Sequence, residues 1–278
     1  MSQPQQRVGG LVAWKNLFSL KPNVIVDVGC AGGKWASDCK QLFPDAKLFL
    51  IEGDSRFKGE LDAAGSAFPS GEIKYAIAVA HSADGEEVTW HQTKVEGFVG
   101  GHLLPEITPF GQNKDNFDEI KVKSRSLPSL LKENGISEES VSIINLDVQG
   151  SELNVLKGCA EMLEKYKPII VTSVNIVEYN QGCAKFADVI KFFDGLGYEM
   201  RDMGKVTTLQ TTHGSVSVSF QAIFCEKGKY DLCQEIIKNL NSAPQQQTQQ
   251  RQPHQQPHAQ KFKAPPKAID DIISSLRY

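Results

Sequence analysis

Five short apolar runs, interleaved with stretches of helical spacing, constrain the fold of this chain more than any other feature. Residues 24–28, 47–51, 73–80, 142–148 and 169–174 each read as a buried strand. Residues 34–43, 152–166 and 184–196 place their apolar side chains at helical intervals between or after them. Strand and helix in alternation predict a parallel sheet covered on both faces, an α/β doubly wound, mostly parallel Rossmann-like architecture. The last part of the pattern differs: residues 199–203 and 216–224 flank a Gly- and Thr-containing stretch, and Val216, Val218 and Phe220 alternate, which predicts an antiparallel hairpin at the sheet edge. Ligands of such sheets bind beyond the carboxyl ends of the strands, so functional residues are expected just after each run.

A change of composition near residue 240 sets the domain plan. Between Gln245 and Gln260 nine of sixteen residues are Gln, with Pro253 and Pro257 among them. Such a tract buries too little apolar area to offset its ordering entropy and is expected to be a disordered linker. Beyond it Ile269, Ile272, Ile273 and Leu276 fall on one helical face. The expected division is an N-terminal segment at 1–20, one domain at 21–240, a linker at 241–267 and a short amphipathic helix at 268–278. That helix is too short to persist alone and is a candidate docking site for a protein partner.

Composition excludes several classes. Thirty basic residues stand against 33 acidic ones, a net charge of −3, which provides no broad basic surface for nucleic acid. The domain carries −6 and the tail +3, so the mild total hides two unlike parts. No apolar stretch approaches ~18 residues, and the Gln-rich first ten lack a basic-then-apolar leader, so neither a membrane span nor a secretory signal is expected and the chain reads as cytoplasmic. The six cysteines lack C-x-x-C spacing and read as reduced thiols; no metal motif appears.

The first run leads into Asp27-Val-Gly29-Cys30-Ala-Gly32-Gly33, a strand, a glycine turn and then a helix. Glycines there let backbone approach a ligand. Their spacing is not the G-x-G-x-x-G of dinucleotide sites, and a carboxylate at Asp27 disfavours a pyrophosphate while suiting a ligand with an ammonium and a sulfonium. Glu52 ends the second run about twenty residues on, where an acid can accept ribose hydroxyls. Together these fit S-adenosylmethionine.

Four blocks in order, residues 24–35, 48–55, 78–86 and 125–158, resemble the FkbM-type family of S-adenosylmethionine-dependent methyltransferases. The most specific is Ile144-Asn-Leu-Asp-Val-Gln-Gly-Ser-Glu-Leu-Asn-Val-Leu-Lys-Gly158 with Ser126-Leu127 upstream. The resemblance spans roughly residues 20 to 225 and implies O-methylation, with a small-molecule or glycan acceptor. It implies that Asp27, Gly29, Cys30 and Gly33 hold the methionine end of the cofactor, that Glu52 holds the ribose, and that Asp147 sits near the transferred methyl group. The chain departs from the family pattern at Gly53, where a proline is usual, at Pro128 and Ser129, where an acid is usual, and at Ser173, where an acid is frequent. The alternative is a non-catalytic binding or assembly protein built on the same domain.

Deprotonating a hydroxyl acceptor calls for a general base. Asp147, which closes the fourth run, and Glu152, in the first turn of the next helix, could face one crevice; Glu152 also suits a helix N-terminus. His102 follows Gly100-Gly101 within residues 90–117, an aperiodic stretch rich in Gly, Pro and aromatic residues that is expected to form a lid.

Overall fold

The computed structural model describes residues 10–95, 101–211 and 214–230. The chain divides into units 1–239 and 240–278, and every described residue belongs to the first. The expected linker and terminal helix, along with Phe98, His213 and Cys233, lie outside the described residues.

Helix α1 (Gly10–Phe18) precedes β1 (Val24–Val28), α2 (Lys34–Leu42), β2 (Lys47–Glu52), α3 (Lys58–Ser66) and β3 (Ile73–Ile77). After an excursion through β4 (Val79–Ala80), β5 (Glu87–Thr93), α4 (Pro109–Gln112), β6 (Phe117–Arg125) and α5 (Leu127–Glu133), the chain returns to the main sheet with β7 (Val141–Leu146). Then follow α6 (Glu152–Lys157), α7 (Ala160–Tyr166), β8 (Ile169–Asn175), α8 (Phe186–Gly195), β9 (Tyr198–Thr211) and β10 (Gly214–Glu226). The main sheet has the order β3-β2-β1-β7-β8-β10-β9, parallel through β8 and antiparallel at β10 and β9. A second, three-stranded sheet has the order β4-β6-β5.

Both faces of the main sheet are covered, which is why its strands are apolar at successive positions rather than alternate ones. Val26, Phe49, Ile144 and Ile170 pack toward Leu131, Leu163 and Phe193 of α5, α7 and α8. Ile25, Leu48, Leu50 and Ile143 pack toward Leu11 and Trp14 of α1, Cys39 of α2 and Leu61 of α3.

Several sequence expectations are corrected. The run at 73–80 is two strands in different sheets, and the strand expected to reach residue 148 stops at Leu146, leaving Asp147 exposed. The helix expected over 152–166 breaks at Gly158, where a Cβ would lie 2.6 Å from the carbonyl oxygen of His81. Residues 90–117 are not all irregular: Trp90 to Thr93 belong to β5, which pairs antiparallel with β6. Asp84 holds this excursion in place. It accepts hydrogen bonds from the amide and hydroxyl of Ser126 (2.8 and 3.0 Å) and from the hydroxyl of Ser129, and these donors pull its carboxyl down to about 2. Ser129 therefore serves a carboxylate supplied from elsewhere, at the place where the family pattern has one of its own.

The two central strands meet most tightly at their ends. The amide of Asp147 donates to the carbonyl of Val28 at 3.0 Å, and a Cβ on Gly29 would lie 2.1 Å from the carbonyl oxygen of Asp147, at a backbone φ of +80°. Only glycine fits both the conformation and the contact. Gly29→Ala is expected to cost about 2–4 kcal/mol in chemical denaturation. A loss below about 0.5 kcal/mol would show that this junction yields easily.

Candidate active site

Two cavities open beyond the carboxyl ends of the strands, at the place where connections from β1 and β7 leave in opposite directions. The first cleft is lined by Gly29, Glu52, Gly53, Trp90, Asp147 and Ser151, among others. The second, of about 410 Å³, is lined by Asp147, Glu152, Trp35 and a set of neutral polar side chains. Asp147 and Gln149 line both, so the two cavities meet there.

Glu52 is only 6% exposed, at the end of β2. Its Oε2 accepts the amide of Ala31 at 2.7 Å and its Oε1 accepts the amide of Asp54 at 2.8 Å. Burial raises its carboxyl above the ordinary value while these amides act the other way. Each oxygen keeps capacity for another donor, which suits a vicinal diol at the cleft. The glycine loop is closed differently from the expectation. The amides of Gly29 and Cys30 both donate to the carbonyl of Ile51, at 2.9 and 3.2 Å, so they are committed to the strand end.

Asp27 lies beneath that loop rather than on the wall of either cavity. Its Oδ1 accepts from Nδ2 of Asn145, its register partner on β7, at 2.8 Å. Its Oδ2 and the Oδ1 of Asn145 are buried acceptors without a donor. Two adjacent unpaired acceptors call for a donor group such as an ammonium or a water. Burial raises the Asp27 carboxyl to about 7, aided by the charges of Asp147 and Glu52 and opposed by Asn145. Cys30 and Gly33 also lie outside the cavity walls, Cys30 buried and Gly33 turning the chain into α2 at φ +74°. Cys30, Cys39, Cys159, Cys183 and Cys225 are all free and buried.

The candidate bases separate. Asp147 is exposed at the junction, with Nε2 of Gln149 near its Oδ1 at 3.4 Å. Glu152 is 4% exposed, and its Oε1 accepts the amides of Val148 and Gly150 at 3.0 and 3.3 Å. It braces the turn before α6, and burial raises its carboxyl to about 7. His102 is not in the site. Its backbone forms an antiparallel bridge with His91, and its ring stacks on that of His91 and meets Phe117 edge-on. Along this extended segment Gly101 and Leu103 line the first cleft and His102 points to the opposite face, as strand alternation requires. Burial lowers its pKa to about 4.

Of the segment expected to form a lid, Trp90, Gly101 and Leu103 form one wall of the first cleft, while Phe110 and Phe117 pack on each other. Sequence reasoning missed Asn145, Asn175, Asn180 and Gln221; single amides scattered over strands and loops carry no spacing signal. Among the described residues no group of three His, Cys, Asp or Glu side chains could hold a metal, and no helix is long and apolar enough to cross a membrane.

Sheet order and cleft together define a Rossmann-like domain with a ligand cleft at its switch point. A family model, the methyltransferase FkbM domain, matches residues 51–200, more than half of the chain, and the chain belongs to that family. It is therefore a methyltransferase, of a family that uses S-adenosylmethionine. The glycine loop lies outside the matched residues. The 2-O-methyltransferase NoeI of Sinorhizobium fredii (strain NBRC 101917 / NGR234) is 30% identical over 170 residues, 58% of this chain and 68% of that protein. Among solved structures, methyltransferase FkbM from Methylobacillus flagellatus KT is 14% identical with a TM-score of 0.44, over 73% of this chain but only 43% of that one. Precorrin-6y C5,15-methyltransferase from Geobacter metallireducens GS-15 is 10% identical, with a TM-score of 0.42 over 81% of this chain and 90% of that one.

A folded pKa above the unfolded value of 3.8 means that folded Asp27 retains a proton the unfolded chain has released. Its contribution to stability is therefore complete below about pH 4 and lost as pH rises through about 7. Asp27→Asn is expected to shrink the fall in melting temperature between pH 5 and pH 8. The opposite contribution of His102 is common to both proteins. Parallel melting curves for the two across that range would count against an uncharged, proton-binding Asp27.

Proposed function

We propose that this methyltransferase transfers the methyl group of S-adenosylmethionine to a hydroxyl of a sugar or glycan. The observation that carries the reading is the second cavity. Its wall holds the carboxamides of Gln149, Asn175, Asn180 and Gln221 and the hydroxyls of Ser173 and Ser219, beside the Trp35 indole. Neutral donors and acceptors next to an aromatic surface suit a ring with several hydroxyls, and the Trp35 Nε1 is a buried donor without an acceptor. A relative named as a 2-O-methyltransferase supports a hydroxyl acceptor.

The residues present fit the cofactor: Glu52 has acceptor capacity at the cleft, and the unpaired acceptors of Asp27 and Asn145 lie beneath the loop. When bound, S-adenosylmethionine supplies an activated methyl group on a cationic sulfur that leaves as a neutral thioether. Asp147, at the meeting of the two cavities, would accept the proton of the attacking hydroxyl and pass it to water, while bound S-adenosylmethionine would supply the methyl group and leave as the thioether. Glu152 holds the turn that carries Asp147 and Gln149, through its bonds to the amides of Val148 and Gly150. Positioning and exclusion of water supply most of the acceleration, and general-base help a smaller factor.

Titration calorimetry with S-adenosylhomocysteine is expected to give binding, and its absence would overturn the reading. Asp147→Asn is expected to lower kcat on a panel of glycosides with free hydroxyls by about 10²–10³ while leaving S-adenosylhomocysteine affinity within about threefold. Undiminished turnover by that variant would remove Asp147 as the base.

A further inference from the structure

The second cavity turns oxygen acceptors toward its ligand and spends their donors elsewhere. Tyr179 donates its hydroxyl to Oε1 of Glu106 at 2.8 Å. A phenol has one proton, so toward the cavity Tyr179 can only accept. Asn180 turns its Nδ2 onto the carbonyl of Leu104 at 2.9 Å, while its Oδ1 lies 3.1 Å from where a Cβ on Gly150 would stand. Tyr179, Asn180 and Gly150 all line the cavity. The backbone fixes this arrangement: Glu106 and Asn180 form an antiparallel bridge, Ile107 donates to the carbonyl of Tyr179 at 3.0 Å, and Gln181 donates to that of Pro105 at 2.7 Å. The acceptors are therefore oriented before a ligand arrives.

Charge points the same way. Asp147 and Glu152 stand on the cavity wall, and Glu106 stands directly behind the Tyr179 hydroxyl. A carboxylate, phosphate or diphosphate on the ligand would meet as many as three like charges and a set of lone pairs, in a crevice whose low-dielectric walls concentrate the field. A sugar hydroxyl would meet partners for its proton instead.

From this we infer that the methyl acceptor is a finished glycoside without an anionic group, and neither a sugar phosphate, a nucleotide sugar nor a uronide. The inference rests on the sugar reading above and narrows it. It also gives the reaction a place in a sequence. The class of reaction that supplies such a substrate is glycosyl transfer, in which a hydroxyl oxygen bonds to the anomeric carbon of a nucleotide sugar, the nucleoside diphosphate leaves and the hydroxyl proton passes to solvent. Methylation follows that step.

The test uses the full chain with S-adenosylmethionine and matched series on several common sugar rings: the methyl glycoside, the 1-phosphate, the nucleoside diphosphate sugar and the methyl uronide. On rings that are turned over, kcat/KM for the three anionic forms is expected to fall about 30-fold or more below that of the methyl glycoside. Raising the salt from about 0.05 to about 0.5 M is expected to narrow this gap about threefold, as screening does for a charge effect and not for a steric one. Gln221→Arg, which adds a cation to the cavity wall, is expected to narrow it about fivefold. A phosphorylated or nucleotide-linked sugar used within about threefold of the glycoside, or better, overturns the inference. A gap that neither salt nor the added cation moves also overturns it, because the exclusion is then steric. If Gln221→Arg does not fold, Ser219→Lys decides by the same measure. Absence of turnover on every ring, with S-adenosylhomocysteine still bound, would instead sink the sugar reading itself.

Discussion

The close passage of two strand ends, Gly29 against the Asp147 carbonyl, governs the rest of the site. β1 and β7 are neighbours in the sheet but far apart in sequence, and their following segments turn away on opposite sides. That divergence opens the crevice. The contact at its base fixes where the crevice is narrowest, and Asp147 stands there because the same hydrogen bond that joins it to Val28 ends the strand ladder. A side chain at Gly29 would part the strands, displace the carboxylate and disturb both cavities together.

Much of the fold is legible in the sequence for a physical reason. Strands covered on both faces are apolar at most successive positions, and β1, β2, β7 and β8 announce themselves as runs with few polar interruptions, Asp27 and Asn145 among them. β5 and β6 do not. Glu87-Val-Thr-Trp-His-Gln-Thr and Phe117-Asp-Glu-Ile-Lys-Val-Lys are strands of a small, largely exposed sheet, and their partner is each other rather than the core. Their pairing is long-range and leaves a weak local trace. The same limit explains His102: two preceding glycines suggest a hinge, but which way a residue faces in an extended segment follows from register, and register is set by His91 across the bridge. Glu52 and Asp147 could be placed from the sequence because one ends and the other directly follows a buried strand, whereas the amides of the second cavity come from three separated segments that only the fold gathers.

The excursion between β3 and β7 is where this chain differs from a bare doubly wound sheet; hydrogen bonds close it on itself and tie it to the loop after β2. At one end Asp84 gathers the donors of Ser126 and Ser129. At the other, Arg56 pairs with buried Asp54 and reaches the carbonyl of Thr93 at 2.7 Å, joining the loop after β2 to the end of β5. Asp54 in turn donates its amide to Glu52. Glu52 and the strand that carries Trp90 are thereby parts of one hydrogen-bonded frame, and the wall of the cleft cannot shift far without disturbing Glu52.

Four carboxylates, Asp27, Glu52, Asp147 and Glu152, crowd this end of the sheet without a cationic side chain lining either cavity among the described residues. Their mutual repulsion adds to burial in raising Asp27, which feels both Asp147 and Glu52. Such a site is incomplete electrostatically, and a ligand bearing positive charge relieves it. S-adenosylmethionine carries an ammonium and a sulfonium, and its demethylated product keeps only the ammonium. The crowding therefore favours the charged donor over the spent one. Fixing the acids by backbone amides and a single asparagine, rather than by lysine or arginine, leaves that charge unmet until the cofactor supplies it.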